Sequence, residues 1–507
     1  MKYIKSFITT LALSMTLAGC MDDFGDMNVD PNKPSVAHSS MLFTNAATYV
    51  KLFTMNSNDY NPWSQMIPGY LSEALNNQYG KLENNTLGTT DMYRYPIKDL
   101  TYIIDYNKDD SKKNTAAIMA FGSNANQIAV ATTLRAFIYM HLTDALGPIP
   151  YTEAIQAAED NFTPKFDSQK DIYEGLDKEL TEAYSLFDES SNLSGADILF
   201  SGNITKWKKF NASVRMMLAI KLSDIDPATG KTRFAAAYNQ NKGIVSVSDN
   251  LKFTFDSNTV NYLFYQCHQA KGNFVPAEPI VSQLTAFKDP RLFKYCTLYD
   301  YKGNIRATDV GHEKDFDYYK GQPLGLASNS DVLETAAKCC YFNPVLHDGM
   351  ENPFPVITAA RILLIQAEAA QRGWIDADAA TLYKAGIQAS YDQWGVTESV
   401  DSYLAQPGVK YEGTDDAKIK LIGLQRWIAG YMADGYEAWS DWRRLDVPAL
   451  HVGPGVTIID HIPYRHEFDS EIYNYNKANY DAAVKADLNG NDSRSQRVWW
   501  DTKDNAK

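Results

Sequence analysis

At 507 residues the chain can hold two or three average domains, or one large layered body with a substantial core. A net charge of −14 and a pI near 5.1 exclude a surface built for nucleic acid or anionic lipid, which phosphate would repel, and favour neutral or cationic ligands. The 32 Tyr and 9 Trp are the conspicuous excess: in a core each polar tip needs a partner, so part of this aromatic content is expected at a surface.

The chain opens with Lys2 and Lys5, an apolar run over residues 7–17 too short to span a bilayer, and then Leu17-Ala18-Gly19-Cys20. This resembles a bacterial lipoprotein signal. Residues 1–19 would be removed, and the thiol of Cys20 would carry diacylglycerol, with further acylation of the new N-terminus making the anchor durable. The alternative is a cleaved secretory peptide with an incidental cysteine. The acidic Met21-Asp22-Asp23-Phe24-Gly25-Asp26 that follows resembles the signal sending lipoproteins to the outer leaflet of the outer membrane. No later apolar run approaches ~20 residues, so the mature chain is expected to be tethered without spanning.

Residues 20–35 read as a lipidated tether stiffened by Asp30-Pro31-Asn32-Lys33-Pro34, with Ser35 capping the next helix. Helical spacing over 41–53 and over 63–75 predicts two helices. Residues 76–114, with Tyr79, Tyr93, Tyr95, Tyr102 and Tyr106 among Asn, Thr, Gly and Asp, suit a long surface excursion better than a helix. From 127 to 146 apolar residues form two stripes, so this helix belongs inside. It breaks at Gly147-Pro148-Ile149-Pro150, after which Thr152 offers a cap for a partner. An extended link at 162–167 leads to a helix capped by Ser168 or Asp171, with Ile172, Leu176, Leu180, Ala183 and Phe187 on one side. A turn at 197–203 enters a helix running from Trp207 to about Ser223, followed by a short partner over 231–239.

Residues 244–354 read as the least helical part, with strands at 244–248, 251–255 and 295–301, the last ending in Lys302-Gly303-Asn304. Helix returns over 357–370 and 376–390 around Gly373-Trp374, and small residues at the crossing suit tetratricopeptide-like pairs. A further hairpin, 417–445, bends at Asp434-Gly435. The tail is loop-like, with one helix over 470–486 before Val498-Trp499-Trp500. The reading is one domain over 36–507, scaffolded mainly by 36–75, 115–243 and 355–445, with loop-rich parts at 76–114, 244–354 and 446–507.

Several patterns suggest chemistry and lose it on inspection. The run from Glu437 to Arg444 looks catalytic, but Arg–carboxylate pairing that closes a helix hairpin explains it better. Asp109-Asp110 and Asp415-Asp416 are adjacent in loops and do not oppose each other across a substrate. Gly230-Lys231-Thr232 lacks the first glycine and the strand of a phosphate loop, and Asp487 to Asp492 departs from a calcium loop, leaving only a looser structural calcium conceivable. No HExxH or GxSxG is present. Cys267, Cys296, Cys339 and Cys340 include no CxxC and read as small buried residues or one incidental disulfide, with no metal site and no cofactor expected.

Motifs spread along the chain carry one resemblance: Leu17-Ala18-Gly19-Cys20, Asn28-Val29-Asp30-Pro31-Asn32, Arg135-Ala136 through Gly147-Pro148-Ile149-Pro150-Tyr151, Asp197 through Trp207-Lys208-Lys209-Phe210-Asn211, and Asp289-Pro290-Arg291. They continue with Gln366-Ala367-Glu368-Ala369, Glu437-Ala438-Trp439, Asp441-Trp442-Arg443-Arg444, Pro463-Tyr464-Arg465 and Val498-Trp499-Trp500. In this order they resemble the SusD/RagB-like family of nutrient-binding outer-membrane lipoproteins, especially its starch-binding-associated SusD-like branch. The resemblance implies a mainly α fold: about four tetratricopeptide-like helix pairs beside a large irregular, short-stranded ligand-binding part. It implies a lipid-anchored protein at the cell surface, a SusC-like TonB-dependent transporter as partner, an oligosaccharide or peptide ligand, and no catalysis. The shared motifs are scaffold, so no binding residue transfers from them.

Sugar binding needs aromatic planes for pyranose faces and amides or carboxylates for hydroxyls. The excursions supply Tyr79, Asn84, Asn85, Tyr93, Arg94 and Tyr95 in one, Tyr262, Tyr265, Gln266 and His268 in another, and Asp317, Tyr318 and Tyr319 in a third. The competing reading is that these tyrosines pin loops to the body or meet the transporter. A peptide-binding lid would show a groove with backbone-pairing edges and few stacked rings, and a glycoside hydrolase would show two opposed carboxylates ~5–10 Å apart.

Overall fold

Ser123, Ser168, Asn203, Asp226, Thr358, Asp378, Thr414 and Asp434 each offer a side-chain oxygen to the backbone N–H three positions on, and each opens a helix. The computed structural model describes residues 37–50, 63–83, 88–253, 273–300, 302–343 and 354–503. Its longer helices are α1 (Ser39–Thr48), α2 (Lys98–Lys108), α3 (Asn124–Leu146), α4 (Gln169–Leu186), α5 (Ile204–Lys221), α6 (Pro227–Gln240) and α7 (Glu278–Ala286). They continue with α8 (Asn329–Ala336), α9 (Ala359–Gln371), α10 (Ala379–Trp394), α11 (Asp415–Ala429), α12 (Gly435–Leu445) and α13 (Lys477–Asp487). Helices pair as α3–α4, α5–α6, α9–α10 and α11–α12, with α2 laid on α3 and α11 on α9, which is the tetratricopeptide-like stack expected. Gly386 admits Leu364 at the α9–α10 crossing, where an added Cβ would sit 2.5 Å from it. Among the described residues no helix is long and apolar enough to cross a membrane.

Among the described residues six short strands make three antiparallel ribbons: β1 (Leu71–Glu73) with β3 (Phe274–Pro276), β2 (Leu251–Phe253) with β6 (Phe354–Ile357), and β4 (Cys296–Thr297) with β5 (Tyr341–Phe342). Several local expectations change. The helix expected over 63–75 ends at Met66, because Pro68 and Gly69, at φ 78°, turn the chain into β1. The expected excursion at 76–114 contains α2, which follows a π-type turn at Tyr93–Ile97. Ile97, Leu100 and Ile104 recur at helical spacing and are buried, a stripe obscured by the surrounding Tyr, Asn and Asp. Thr152 caps no helix. Its hydroxyl and N–H bond Asp167, and α4 begins from Ser168. The strand expected at 244–248 is replaced by a 3₁₀ turn at Val247–Asp249, and Asn476 divides the tail helix into Ser470–Tyr475 and α13. Residues 1–36, with Cys20 and Ser35, lie outside the described residues, as do 51–62.

The motifs that carry the resemblance meet in the interior. Glu368 on α9 accepts from Arg444 at 2.5 and 2.8 Å, from Arg426 at 3.0 Å and from Arg372 at 2.9 Å. Asp441 shares Arg426 at 2.7 and 2.8 Å and takes Arg361 at 2.9 Å. Glu437 and Asp144 then share the Lys221 ammonium, and Asp144 also accepts from Trp500 Nε1 at 2.7 Å. Burial alone would raise the Glu368 carboxyl, but Arg444, Arg372 and Arg426 outweigh it and hold it well below the usual carboxylate range. The charged run 437–444 is therefore the joint between helix pairs, closed to any substrate. Elsewhere Arg291 forks onto Asp289 at 3.0 and 2.6 Å, and Asp197 takes Trp207 Nε1 at 2.7 Å.

The remaining motifs are also structural. Gly230-Lys231-Thr232 lies inside α6. The Asp492 carboxylate is taken by Arg465 at 2.5 Å, Tyr480 at 3.0 Å and the Phe468 N–H at 3.2 Å. Cys296, Cys339 and Cys340 are buried free thiols, while Cys267 lies outside the described residues. Among the described residues no three His, Cys, Asp or Glu side chains are grouped to hold a metal.

Candidate functional site

Segments far apart in sequence converge on the β1–β3 ribbon. At the end of β1, the buried Glu73 carboxylate accepts from the N–H groups of Gln78, Tyr79 and Gly80 at 3.0, 3.0 and 2.7 Å, shaping the 76–83 loop. Tyr79 lies half-buried with its ring 6.2 Å from Phe274 of β3. Asn77 receives this loop's links to the third excursion: its N–H donates to Asn329 Oδ1 at 2.9 Å and its amide to the Leu326 carbonyl. Ser72 donates to the Pro323 carbonyl at 2.9 Å. The tail joins through Gly455 N–H to Gly325 O at 2.8 Å and through Arg494 to the Leu82 carbonyl. Gly325, at φ 71°, lets its backbone touch those of Gly80 and Gly453, an approach that a side chain would block.

Two open grooves flank this junction. One, of about 460 Å³, lies between α7 and the tail, lined by Glu278, Pro279, Gln283, Leu324 and His451. The other, of about 660 Å³, is lined by Val456, Thr457, Ile458, Ile459, His461 and Ser495. The His461 ring stacks on Tyr464 at 4.5 Å, and its Nδ1 lies 2.7 Å from Asp460.

Beyond the Ala277–Gln322 bridge, the third excursion builds a ring platform. His312 and Tyr318 stack at 3.7 Å with only 10° between planes, and both are partly buried. Tyr299, exposed, donates to Glu313 Oε1 at 3.0 Å, and Asp315 sits 3.4 Å from His312 Nδ1. Lys288 reaches Asp317 at 3.4 Å and lies over Phe316 at 5.2 Å. Rings with a carboxylate and an imidazole at their edge are the elements a saccharide site needs.

The sequence-predicted residues divide between these places and the scaffold. Tyr79 and Tyr318 stand on the converging loops. Tyr319 is 4 % exposed; its hydroxyl donates to the Glu313 carbonyl at 2.9 Å and its ring packs edge-on to Phe293, so it holds the platform from beneath. Tyr93 is likewise structural: its hydroxyl donates to the Pro150 carbonyl at 2.6 Å and its ring meets Tyr139 of α3 at 6.2 Å. Arg94 is exposed and paired with Asp91 at 3.3 Å, and Tyr95 stacks on Tyr49 at 5.5 Å, so both belong to the α1–α2 corner. Asn84, Asn85, Tyr262, Tyr265, Gln266 and His268 lie outside the described residues. Tyr299 and His312 escaped sequence reasoning, although the Asp300 to Asn304 turn signals that Tyr299 ends a strand at the surface.

A stack of helix pairs whose inserted loops carry rings and open grooves defines a tetratricopeptide-like binding scaffold. The family model for SusD-like proteins, described as starch-binding and associating with the outer membrane, matches residues 31–469, and the chain belongs to that family. The fold is similar to a SusD homologue from Bacteroides uniformis at 23 % identity and TM-score 0.75, covering 91 % of this chain and 99 % of the other. It is also similar to a chitin-binding SusD homologue from Flavobacterium johnsoniae, at 22 % identity and TM-score 0.73, covering 92 % and 100 %. A SusD homologue from Bacteroides fragilis aligns at 22 % identity and TM-score 0.75, again covering 92 % and 100 %. No curated protein matches the sequence.

Proposed function

We propose that this chain is a lipid-anchored cell-surface protein that captures an oligosaccharide and passes it, unchanged, to a SusC-like TonB-dependent transporter. The observation that carries the saccharide reading is the parallel His312–Tyr318 pair with Tyr299 and Glu313 at its edge. Flat rings that reach the surface cover the apolar face of a sugar, and the carboxylate takes its hydroxyls. Family membership supports it, as does the chitin-binding relative from Flavobacterium johnsoniae. The charged run at 437–444 offers no free carboxylate for catalysis, since Asp441 is spent on buried arginines and Glu437 on Lys221 and Arg361. Binding on such a shallow platform is modest, because much of the ligand keeps its water.

Tyr318→Ala should weaken oligosaccharide binding about tenfold, the equivalent of about 1.4 kcal/mol, in calorimetric titration against maltohexaose and chitohexaose, with little change in melting temperature. Unchanged affinity would remove the platform from the site. The anchor is tested separately. Cys20→Ala should move the protein from the outer-membrane pellet to the soluble fraction, since both the acyl attachment and its signal depend on that thiol. Retention in the pellet would refute lipidation at Cys20.

A second reading, a peptide ligand, is favoured by the larger groove. Its lining mixes Val452, Val456, Ile458 and Ile459 with Thr457, Asp460, His461 and Ser495, and residues 457–462 make no main-chain hydrogen bond to another backbone group among the described residues. Such a run can pair with an extended peptide. Competition between a peptide library and hexasaccharide for the wild-type protein separates the two.

A further inference from the structure

We infer that the protein carries a second saccharide-binding platform where the 160–166 turn meets the 470–480 segment, and that it engages long glycan chains at two points. The inference rests on the saccharide reading above. Five aromatic side chains are exposed among the described residues: Tyr102, Phe162, Tyr299, Tyr473 and Tyr475. Three of them, Phe162 at 71 %, Tyr473 at 43 % and Tyr475 at 79 %, emerge from this one junction, although about three hundred residues of sequence separate the first from the others. Packing gives little reason for Phe162 and Tyr475 to gather here, since rings so exposed bury little surface.

The junction is built, not incidental. Asn476 Nδ2 donates to the Pro164 carbonyl at 2.6 Å and Asn479 Nδ2 to the Thr163 carbonyl at 2.8 Å, so two side-chain amides clamp the turn beside Phe162 against the helices. Behind it a ladder of edge-to-face rings runs from Phe166 to Phe468 at 5.6 Å, to Tyr480 at 5.7 Å and to Tyr473 at 5.4 Å. The Tyr480 hydroxyl is tied to Asp492 at 3.0 Å, which holds the ladder's outer end and pre-orients Tyr473. A platform fixed before binding spends little ordering entropy on the ligand.

The chemistry at the rim selects the ligand class. Lys477 pairs with Asp481 at 2.6 Å and lies over the Tyr473 ring at 4.7 Å, Lys165 pairs with Glu153 at 3.8 Å, and Asp160 and Glu471 add exposed carboxylates to the rim. Asn161, Asn476 and Asn479 commit their amide N–H groups to Glu153, Pro164 and Thr163, while Asn474 is exposed. Exposed rings edged by carboxylate and amide acceptors suit an uncharged, polyhydroxylated chain, whose hydroxyls can donate to them. The patch also joins the ligand-bearing loops, because Asp469, at the head of the Ser470–Tyr475 helix, accepts from the Thr89 N–H at 2.6 Å and Arg494 binds both Glu467 and the Leu82 carbonyl. A chain held at Tyr318 and again here gains by effective concentration, so long glycans profit and short ones do not.

The test compares wild type, Phe162→Ala/Tyr475→Ala and Tyr318→Ala by affinity electrophoresis in amylopectin and glycol chitin, and by titration with maltohexaose and chitohexaose. For the double variant, retardation by the polymer that wild type binds should fall about tenfold or more, while hexasaccharide affinity stays within about twofold. Melting curves should match wild type, as both rings are mostly in solvent. Polymer retardation equal to wild type overturns the inference and leaves the saccharide reading standing. A matching loss of hexasaccharide affinity also overturns it, because the junction would then be the primary site. A wild-type protein retarded by neither polymer overturns both readings.

Discussion

Glu368→Ala should lower the unfolding free energy by about 3–5 kcal/mol, measured by urea denaturation followed through tryptophan fluorescence. The carboxylate is fully buried and neutralises guanidinium groups from three arginines, Arg372, Arg426 and Arg444, that come from α9, α11 and α12 or their ends. Removing it leaves Arg444 only its longer 3.4 Å contact to Asp441, and makes that one carboxylate serve Arg426 as well, in a buried site where under-compensated charge costs more than the intact pair contributes. Glu368→Gln keeps the shape and should lose most of the same stability. The pH dependence has a definite sign. A carboxyl held below its ordinary value supplies its full stabilisation above the ordinary range, about pH 4.3, and loses it as pH falls through the depressed folded value. The stability difference between wild type and Glu368→Gln should therefore be flat from neutral pH to about 5 and shrink below about 4. A loss under about 1 kcal/mol would show that the helix pairs are held by apolar packing alone.

Trp207→Ala should cost about 3–5 kcal/mol in the same measurement. The ring is inaccessible to solvent and stands between Phe43 at 5.8 Å, Phe200 at 5.2 Å and Phe210 at 5.6 Å. Its Nε1 also completes the shell of Asp197, whose carboxylate accepts from the N–H groups of Leu199, Phe200 and Gly202 at 3.0, 3.2 and 2.9 Å. Trp207→Phe separates the two contributions: it restores much of the volume but removes the donor, and should leave about 1–3 kcal/mol of the loss. If both variants melt with wild type, Trp207 is not the wedge that joins α1 to α5. Because neither Glu368 nor Trp207 belongs to the ring platform, neither variant should alter saccharide affinity while folded, in contrast to Tyr318→Ala.

The scaffold was readable from short-range signals. The 127–146 stripe, the stop at Gly147, the cap at Ser168 and the bend at Asp434 all depend on residues within a turn or two of one another. Misreadings arose where local composition and periodicity disagreed. In 88–108 a wealth of Tyr, Asn and Asp concealed the buried spacing of Ile97, Leu100 and Ile104, and near Pro68 a helical pattern continued past a residue pair that could not extend it.

The candidate site was less accessible, because a tyrosine's role is set by what lies across from it. Tyr318 and Tyr319 are neighbours in sequence, yet one lies along His312 at the surface and the other donates to the Glu313 carbonyl from below. Tyr93 looked equivalent to Tyr95 until the Pro150 carbonyl claimed its hydroxyl. Nor could spacing disclose that Phe162 and Tyr475 share one junction, since the amides that join them act across the whole middle of the chain.

Left to itself, then, the order of residues established the helical scaffold, the family and the structural character of the Glu437 to Arg444 run. These rest on hydrogen bonds and apolar repeats between near neighbours, whose energies hardly depend on the rest of the molecule. Which rings face water, how the loops meet on β1 and β3, and where the second platform lies became visible only in three dimensions. Those outcomes come from contacts between segments whose separation in sequence carries no trace of their distance in space.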